Sequence, residues 1–260
     1  MTFINGKVAI VTGGCSGIGL AITKALIQNK AKGITIADVN PSGDAIASEL
    51  SNEVTRVLFV KVDVSIKEEF DNAFAATIKT FQHVDILINN AGILNDFTWE
   101  REIAINLNGT VYGCLLALHE YMPKYKTANE GAIINLSSTA GLASYPNVPV
   151  YTATKHAILG LTRSWGHEKH FAENNVRVMA ICPNATGTPL LDAMPGRNLG
   201  PRYEKFFQEA MSSGEVKIQS TESVAECIVH MLNSGKTGST WLVEDGKFCE
   251  LNLPDIESMK

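Results

Sequence analysis

Three side chains of different chemistry are brought together by their spacing in the sequence. Ser138 follows an apolar run, Ala132–Leu136, while Tyr151 and Lys155 lie four residues apart at the start of a long helical pattern. Residues four apart share one face of a helix, so the phenol and the ammonium can point at one spot, which Ser138 reaches from the end of a strand. We interpret this spot as an active site.

The grouping suits proton transfer to and from an oxygen. A phenol has a reference pKa of about 10 and is a poor base at neutral pH unless a close cation, here Lys155, stabilises the phenolate. The Ser138 hydroxyl can hold a substrate oxygen against Tyr151, which then takes a proton from an alcohol or gives one to a carbonyl. Because a Tyr-x-x-x-Lys spacing also arises by chance, this interpretation needs an independent motif.

A second motif stands near the start of the chain. The apolar run Lys7–Thr12 is followed by the turn Gly13-Gly14-Cys15-Ser16-Gly17-Ile18-Gly19 and an amphipathic stretch from Leu20 to Asn29. A strand, a glycine turn and a helix in this order present backbone N–H groups to a pyrophosphate. A glycine-rich turn with only a structural role is the alternative.

Asp38 ends the next apolar run, nineteen residues after Gly19. A carboxylate there can accept hydrogen bonds from a ribose 2′-hydroxyl and repels a 2′-phosphate, so NAD is predicted rather than NADP. No Arg stands next to Asp38 to receive a 2′-phosphate; the neighbour is Val39. The alternative is a solvated carboxylate that favours a turn.

The order of patterns predicts the fold class. Short apolar runs alternate with amphipathic stretches along most of the chain, which indicates βαβ units and a parallel sheet covered on both faces. We predict one α/β domain over residues 1–260, with long helices over about 101–125 and 149–171 and a last strand at Ser239–Val243. The segment from about 184 to 215 mixes Pro, Gly and Asn with large apolar residues, which is typical of a substrate lid.

Composition excludes several classes of function. The net charge is −5, and no run of Lys or Arg offers a surface for nucleic acid. The five cysteines are scattered along the chain, so we predict no disulfides. His167 and His170 lie three residues apart but lack a third ligand in the sequence, so we predict no metal site. No apolar stretch approaches the roughly 18 residues of a membrane span, and no secretory signal precedes the first strand, so we expect a cytoplasmic protein.

Together these motifs resemble the short-chain dehydrogenase/reductase family. The match follows the order Thr12–Gly19, Asp63-Val64, Asn89-Asn90-Ala91-Gly92, Ser138 and Tyr151-x-x-x-Lys155, and Asn106 stands at the position of the family's fourth catalytic residue. Within the family, the ending Gly238–Val243 is similar to insect-type alcohol dehydrogenases and 15-hydroxyprostaglandin dehydrogenases. The resemblance implies a single-domain Rossmann-type fold, a doubly wound parallel sheet of about seven strands with helices on both faces.

The resemblance also implies residue roles. Asp63 and Val64 hold the adenine, Asn90 and Gly92 flank the cofactor, Lys155 binds the nicotinamide ribose, and Asn106 anchors a water of a proton relay. It further implies a homodimer or homotetramer built on the two long helices. The predicted catalytic residues are Asn106, Ser138, Tyr151 and Lys155; the predicted NAD-binding residues are Gly13, Cys15, Ser16, Gly17, Ile18, Gly19, Asp38, Asp63, Val64, Asn90, Ala91, Gly92, Tyr151, Lys155, Pro183, Thr186 and Thr188.

One departure from the family pattern concerns the loop after the sixth strand. The family usually has Pro-Gly there, whereas this chain has Pro183-Asn184. Asn tolerates a positive φ better than other non-glycine residues, so we expect the turn to survive.

The sequence thus predicts an NAD-dependent oxidoreductase that interconverts an apolar secondary alcohol and its ketone. The apolar character is expected from Leu94, Phe97, Ala140, Leu142, Tyr145, Val148, Leu190, Met194, Phe206, Phe207 and Met211. Arg197, Arg202 and Lys205 on the lid are the cations that could meet a distant carboxylate. Two alternatives stay open: a reductase of a steroid-like or terpenoid ketone, and a dinucleotide sensor without catalysis.

Overall fold

The structure is a computed structural model and describes residues 2–127, 130–212 and 217–254. Its sheet has eight strands in the order β3-β2-β1-β4-β5-β6-β7-β8. The strands are β1 (Val8–Thr12), β2 (Gly33–Asp38), β3 (Arg56–Lys61), β4 (Ile86–Asn89), β5 (Gly131–Leu136), β6 (Val176–Pro183), β7 (Thr240–Glu244) and β8 (Lys247–Leu251). The first seven are parallel, and β8 is antiparallel to β7.

Helices connect the strands and cover both faces of the sheet. They are α1 (Gly17–Gln28), α2 (Gly43–Leu50), α3 (Lys67–Phe81), α4 (Trp99–Ile103), α5 (Gly109–Leu115), α6 (Met122–Tyr125), α7 (Pro149–Trp165), α8 (Glu168–Asn174), α9 (Pro189–Asp192), α10 (Pro201–Ser212) and α11 (Thr221–Ser234). Two π-helical segments, Ala104–Asn108 and Leu116–Tyr121, join α4, α5 and α6 into one long helix, and short 3₁₀ turns occupy Asp96–Thr98 and Thr139–Gly141.

Alternation along the strands divides the core between the two faces. Ile86 and Ile88 of β4 pack in one buried cluster with residues of α1 and α11, whereas Leu87 between them packs in a second cluster with α3 and the long helix. Successive side chains of a strand point to opposite faces, so a strand buried on both sides is apolar throughout. This explains why the central runs of the sequence show no polar alternation.

The predicted doubly wound parallel sheet is confirmed, with two differences in its outline. The eighth strand was not predicted, although its signal is present: Asp245 and Gly246 both have positive φ, of 52° and 74°, in a two-residue turn. The predicted helix over 149–171 is wrong beyond Trp165. It ends at Gly166, where a side chain would lie 2.5 Å from the backbone of Gly238.

The strand order places a crevice at one end of the sheet. β1 is followed by β2 on one side, while β4 lies on its other side, so the order reverses between them. Ligands of open α/β sheets bind beyond the carboxyl ends of the strands at such a switch point. Helices α9 and α10 lie within the predicted lid of 184–215, of which residues 213–215 fall outside the described ranges. Among the described helices, none combines the length and the apolar character needed to cross a bilayer.

Candidate active site

A cavity of about 760 Å³ opens at this switch point and extends from the glycine turn to the lid. Most of the residues predicted to bind a cofactor or to react line it. They are Gly13, Ser16, Gly17, Ile18, Gly19, Asp38, Asp63, Val64, Asn90, Ala91, Gly92, Ser138, Tyr151, Lys155, Pro183, Thr186 and Thr188. Cys15 and Asn106 stand behind the wall of the cavity.

The glycine turn brings backbone close to the cavity. A Cβ on Gly19 would lie 2.1 Å from the Gly13 carbonyl oxygen and 2.6 Å from Asn90 Nδ2. Gly17 has φ +50°, and its Cβ would lie 3.1 Å from Thr188 Cγ2. Side chains at these positions would displace the turn, so the backbone N–H groups at the start of the twelve-residue helix α1 stay accessible to an anion.

Asp38 lies at the rim of the cavity, at the end of β2. Its Oδ2 accepts a hydrogen bond from Cys15 N at 2.9 Å, and its Oδ1 accepts one from Asn40 N at 3.1 Å. Burial, with the neighbouring Asp38 carboxylate, raises the pKa of the Cys15 thiol to about 12. The thiol is therefore unreactive at neutral pH, and Cys15 contributes to the site by holding Asp38.

Asp63 occupies the next strand end along the rim. Its carboxylate accepts hydrogen bonds from Ser65 N and Ser65 Oγ, at 3.0 and 2.6 Å. It also forms an ion pair with Arg101 at 3.3 Å. Burial alone would raise its pKa, but the Ser65 bonds and the Arg101 charge hold the pKa below its ordinary value. Asp63 is thus fixed as an anion, and Arg101, which sequence reasoning missed, also lines the cavity.

Tyr151, Ser138 and Lys155 meet as their spacing predicted. Ser138 Oγ accepts a hydrogen bond from Ala140 N at 3.1 Å, and the Ser138 hydroxyl is near enough to Tyr151 to lower the pKa of its phenol. Lys155 Nζ lies 5.4 Å from the centroid of the Tyr151 ring and donates to the Leu136 carbonyl at 2.9 Å. Tyr151 and Lys155 are 9% and 5% exposed, so both polar ends project into the cavity from an otherwise buried turn.

Burial controls the ionisation of both groups. Burial raises the pKa of Tyr151 above its ordinary value of 10, and the Glu102 carboxyl acts in the same direction. The Ser138 hydroxyl lowers the pKa but does not outweigh burial. Burial lowers the pKa of Lys155 to about 8, although Glu102 acts in the opposite direction. Before any ligand binds, Tyr151 therefore holds its proton at neutral pH.

Asn106 lies in a π-helical turn, Ala104–Asn108, of the long helix. Its Nδ2 donates to the Ile93 carbonyl and its Oδ1 accepts from Ile93 N, each at 2.8 Å, and Nδ2 also donates to Thr154 Oγ1 at 3.4 Å. π-Turns are frequent at functional sites because they redirect a side chain. Asn106 thus holds the loop that follows β4 against the site, and its role in a proton relay stays a prediction.

Three tertiary hydrogen bonds fix helix α7, which carries Tyr151 and Lys155. The Asp96 carboxylate accepts from Val150 N at 2.8 Å and from Tyr151 N at 3.0 Å, and the Ser137 hydroxyl donates to the Lys155 carbonyl at 2.8 Å. The N–H groups of a first helical turn have no partner within the helix, so Asp96 acts as their cap from a distant loop. Sequence reasoning missed both Asp96 and Ser137, because capping residues normally adjoin their helix.

The lid half of the cavity is apolar. Leu94, Ala140, Val148, Tyr151, Met194 and Phe207 form one buried cluster, against which Tyr145, Leu190 and Leu191 pack. Three residues predicted for this half do not line the cavity: Phe97 is 71% exposed, Leu142 packs in another cluster, and the ring of Phe206 lies edge-on to that of Tyr203. Arg197, Arg202 and Lys205 also lie outside the lining, so within the described ranges its cations are Lys155 and Arg101.

The turn after β6 survives by a route different from the expected one. Asn184 is not among the described residues with positive φ. Instead its Oδ1 accepts from Ala185 N at 2.8 Å, and its Nδ2 donates to Glu244 Oε1 at 2.9 Å. The side chain closes the turn and joins it to β7, so the left-handed conformation is not needed.

Comparison with known proteins agrees with this geometry. Residues 7–197 match the family profile described as short chain dehydrogenase. The chain belongs to the short-chain dehydrogenase family. It is 39% identical over 233 residues to 15-hydroxyprostaglandin dehydrogenase (NAD(+)) of Rattus norvegicus, which covers 88% of this chain and 87% of the relative. It is 30% identical over 251 residues to alcohol dehydrogenase 2 of Ceratitis cosyra, covering 95% of each.

The resemblance predicted from the motifs is thereby confirmed, and this short-chain dehydrogenase is an oxidoreductase. Most of its motif residues line one cavity. Arg101, Asp96, Glu102, Ser137 and Gly141 are the positions that motif reading missed. Gly141 is decisive for packing, because a Cβ there would lie 2.3 Å from Ser137 Oγ and 2.7 Å from the Lys155 carbonyl.

We therefore expect Gly141→Ala to push the 139–141 turn away from α7 and to break the Ser137 bond to Lys155. Overpacking of this kind costs about 1–3 kcal/mol of unfolding free energy, and turnover should fall as well. Gly160→Ala, in helix α7, is the matched control. A Cβ at Gly160 meets no atom within 4 Å, and alanine favours a helix. Chemical denaturation measures the free energy of unfolding of both variants. Equal stability of the two variants would contradict the packing argument.

Proposed function

We propose that this chain is an NAD-dependent dehydrogenase that interconverts an apolar secondary alcohol and its ketone. The observation that supports it most is the convergence of the Ser138, Tyr151 and Lys155 polar groups at the junction of a glycine-lined channel and an apolar half-cavity. The relatives carry names of the same class, 15-hydroxyprostaglandin dehydrogenase (NAD(+)) and alcohol dehydrogenase.

The residues of the channel fit a dinucleotide. The turn at Gly17 and Gly19 has no room for side chains, so its N–H groups suit a pyrophosphate, and Asp38 suits ribose hydroxyls. Each Asp38 oxygen accepts one backbone N–H and keeps a lone pair for a hydroxyl. Asp63 and Val64 would hold the adenine, while Pro183, Thr186 and Thr188 would hold the nicotinamide end. Bound NAD would supply the hydride acceptor for the carbinol hydrogen.

The protein's own residues handle the proton. Ser138 Oγ would position the substrate oxygen beside the Tyr151 hydroxyl, because both residues line the cavity and Ser138 acts on the pKa of Tyr151. In oxidation Tyr151 must first lose its own proton, and the resulting phenolate oxygen accepts the alcohol proton; in reduction the protonated phenol gives its proton to the ketone oxygen. The Lys155 ammonium, held by the Leu136 carbonyl, stabilises negative charge that forms on Tyr151. The buried apolar cluster excludes water from this exchange.

A reductase of a larger apolar ketone, such as a steroid-like or terpenoid one, is the second candidate. Burial raises the pKa of Tyr151, and this favours the reductase, since a protonated phenol can donate its proton to a carbonyl oxygen. Turnover in both directions at matched cofactor saturation distinguishes the two. Assembly into a homodimer or homotetramer, cytoplasmic location and the opening of the 184–215 lid stay predictions.

Tyr151→Phe should remove nearly all turnover while leaving NADH binding close to that of the wild type. The change deletes the oxygen that transfers the proton and preserves the shape of the ring, and general acid–base groups contribute about 10²- to 10⁴-fold in rate. Steady-state turnover and a fluorescence titration with NADH measure the two properties. A loss below tenfold would place the acid–base group elsewhere.

Asp38→Ala should narrow the preference for NAD over NADP, because it removes a hydrogen-bond acceptor and a repulsive charge at one place. Asp38→Asn serves as the control for scaffolding, since an amide oxygen can still accept from Cys15 N while the charge is absent. Ratios of kcat/KM for the two cofactors decide the matter. If neither variant changes the ratio, Asp38 does not face the ribose.

In a series of 2-alkanols, kcat/KM should rise with chain length until the apolar half-cavity is filled. Each buried methylene contributes about 0.8 kcal/mol, or about fourfold. Leu190, Met194 and Phe207 supply the surface for this burial. A flat or falling series from 2-propanol to 2-octanol would point to a small polar substrate.

A further inference from the structure

Two carboxyl groups are fully buried immediately behind Tyr151. Asp96 and Glu102 each have 0% exposure, and they come from the 3₁₀ turn and from α4. Charged side chains are almost never buried without a compensating partner. The proton-transfer scheme above uses neither of them, so their state needs an explanation.

Asp96 is arranged as an anion. Both of its oxygens accept backbone N–H groups from the start of α7, one of them from Tyr151 itself. The N-terminal turn of a helix stabilises negative charge through these N–H groups and through its dipole. Two charge-assisted hydrogen bonds therefore hold the backbone of Tyr151 in place.

Glu102 is arranged as an acid. Its Oε1 accepts from Asn95 N at 2.8 Å, while Oε2 has no donor among the described residues. The Glu102 carboxyl is nevertheless a neighbour of Asp96, because its Oε1 binds the N–H of the residue that precedes Asp96 and the Asp96 charge acts on it. Two carboxylates accept only, so a hydrogen bond between them requires a proton on one, and Oε2 is the oxygen without another role.

We propose that Glu102 and Asp96 share a single proton, carried on Glu102 Oε2, and that this pair is a positioning device for the helix start that bears Tyr151. Glu102 donates to Asp96, and Asp96 accepts from Val150 N and Tyr151 N. Loss of the proton leaves two buried anions in contact, which weakens the cap and places a negative charge near the phenol. The active site thereby acquires an ionisable group that touches neither cofactor nor substrate.

The surroundings of Glu102 agree with this assignment. Burial and the Asp96 charge raise the pKa of Glu102 to about 8, whereas the Asn95 N–H and the Lys155 ammonium lower it. Facing it are Asp96 from the 3₁₀ turn and Tyr151 and Lys155 from α7. On its own helix, Arg101 turns outward to Asp63, and Glu100 is exposed.

The sign of the effect on stability follows from linkage. Glu102 keeps its proton in the folded chain up to about pH 8 but loses it near its ordinary value of 4.5 in the unfolded chain. Between these values only the folded state binds the proton, so rising pH lowers the free energy of unfolding. Above about pH 8 both states have lost it, and the contribution becomes constant.

The first test needs no catalytic activity and compares Glu102→Gln with the wild type. The amide retains an acceptor for Asn95 N and a donor for Asp96 but has no proton to lose. The melting temperature of the wild type should therefore fall relative to Glu102→Gln from about pH 5 to about pH 8, and then run parallel. Glu100→Gln, which makes the same substitution at an exposed position of the same helix, should track the wild type throughout.

The second test follows alcohol oxidation and rests on the proposed function. Above about pH 8 the kcat of the wild type should bend downward more steeply than that of Glu102→Gln, because Lys155, whose pKa burial lowers to about 8, titrates in both enzymes and Glu102 only in the wild type. Glu102→Leu, which can neither donate to Asp96 nor accept from Asn95, should lose about tenfold or more in kcat near neutral pH, since misplacement of a reacting group by about 1 Å costs up to 10²-fold. Restoration of kcat by Gln then identifies the hydrogen bond as the cause.

The proposal is overturned if the melting temperatures of wild type and Glu102→Gln change in parallel between pH 5 and 8. If Glu102→Gln does not fold, the proton uptake of the wild type on folding is measured instead. No net uptake between pH 5 and 8 refutes the shared proton. Absence of turnover on every alcohol and ketone would refute the proposed function and leave the stability test unaffected.

Discussion

Burial of Tyr151 and Lys155 in one apolar cleft is the constraint on which the rest of the site depends. Desolvation works against the charged form of each group, so it raises the pKa of the phenol and lowers that of the ammonium to about 8. A buried charge is tolerated only with nearby compensation. Lys155 finds it in the Leu136 carbonyl, which accepts a hydrogen bond from Nζ at 2.9 Å.

Compensation of this kind requires the helix and the sheet to be in fixed register. Ser137 joins the Lys155 carbonyl to the end of β5, and inside the sheet Asn89 Nδ2 donates to Asn135, whose own amide donates to Thr162 of α7 at 3.0 Å. These buried amide and hydroxyl groups bind one another, and a slip of α7 would leave them without partners, which is costly. The parallel sheet thereby transmits the position of β4 and β5 to the reacting groups.

Local pattern was sufficient to predict the alternating strands, the glycine turn and the Ser138, Tyr151 and Lys155 grouping. Each of these depends on spacing within a short stretch, as in the four-residue step from Tyr151 to Lys155. Asp96 and Glu102 could not be predicted, since their partners are Tyr151 N and one another's carboxyl, contacts that only the folded chain creates. Phe97 shows the opposite error: an apolar residue beside a site residue was assigned to the cavity, yet it lies on the surface.

Asn184 shows how this chain accommodates a departure from its family's pattern. Glycine in such a turn is valued for its conformational freedom, but Asn184 does not use a left-handed backbone. Its amide accepts from Ala185 N and donates to Glu244, while Gln219 donates to the Val243 carbonyl at 3.0 Å beside it. Side-chain hydrogen bonds thus take over what backbone freedom supplies elsewhere. Because Glu244 ends β7, the C-terminal strands become part of the support for the loop that carries Thr186 and Thr188.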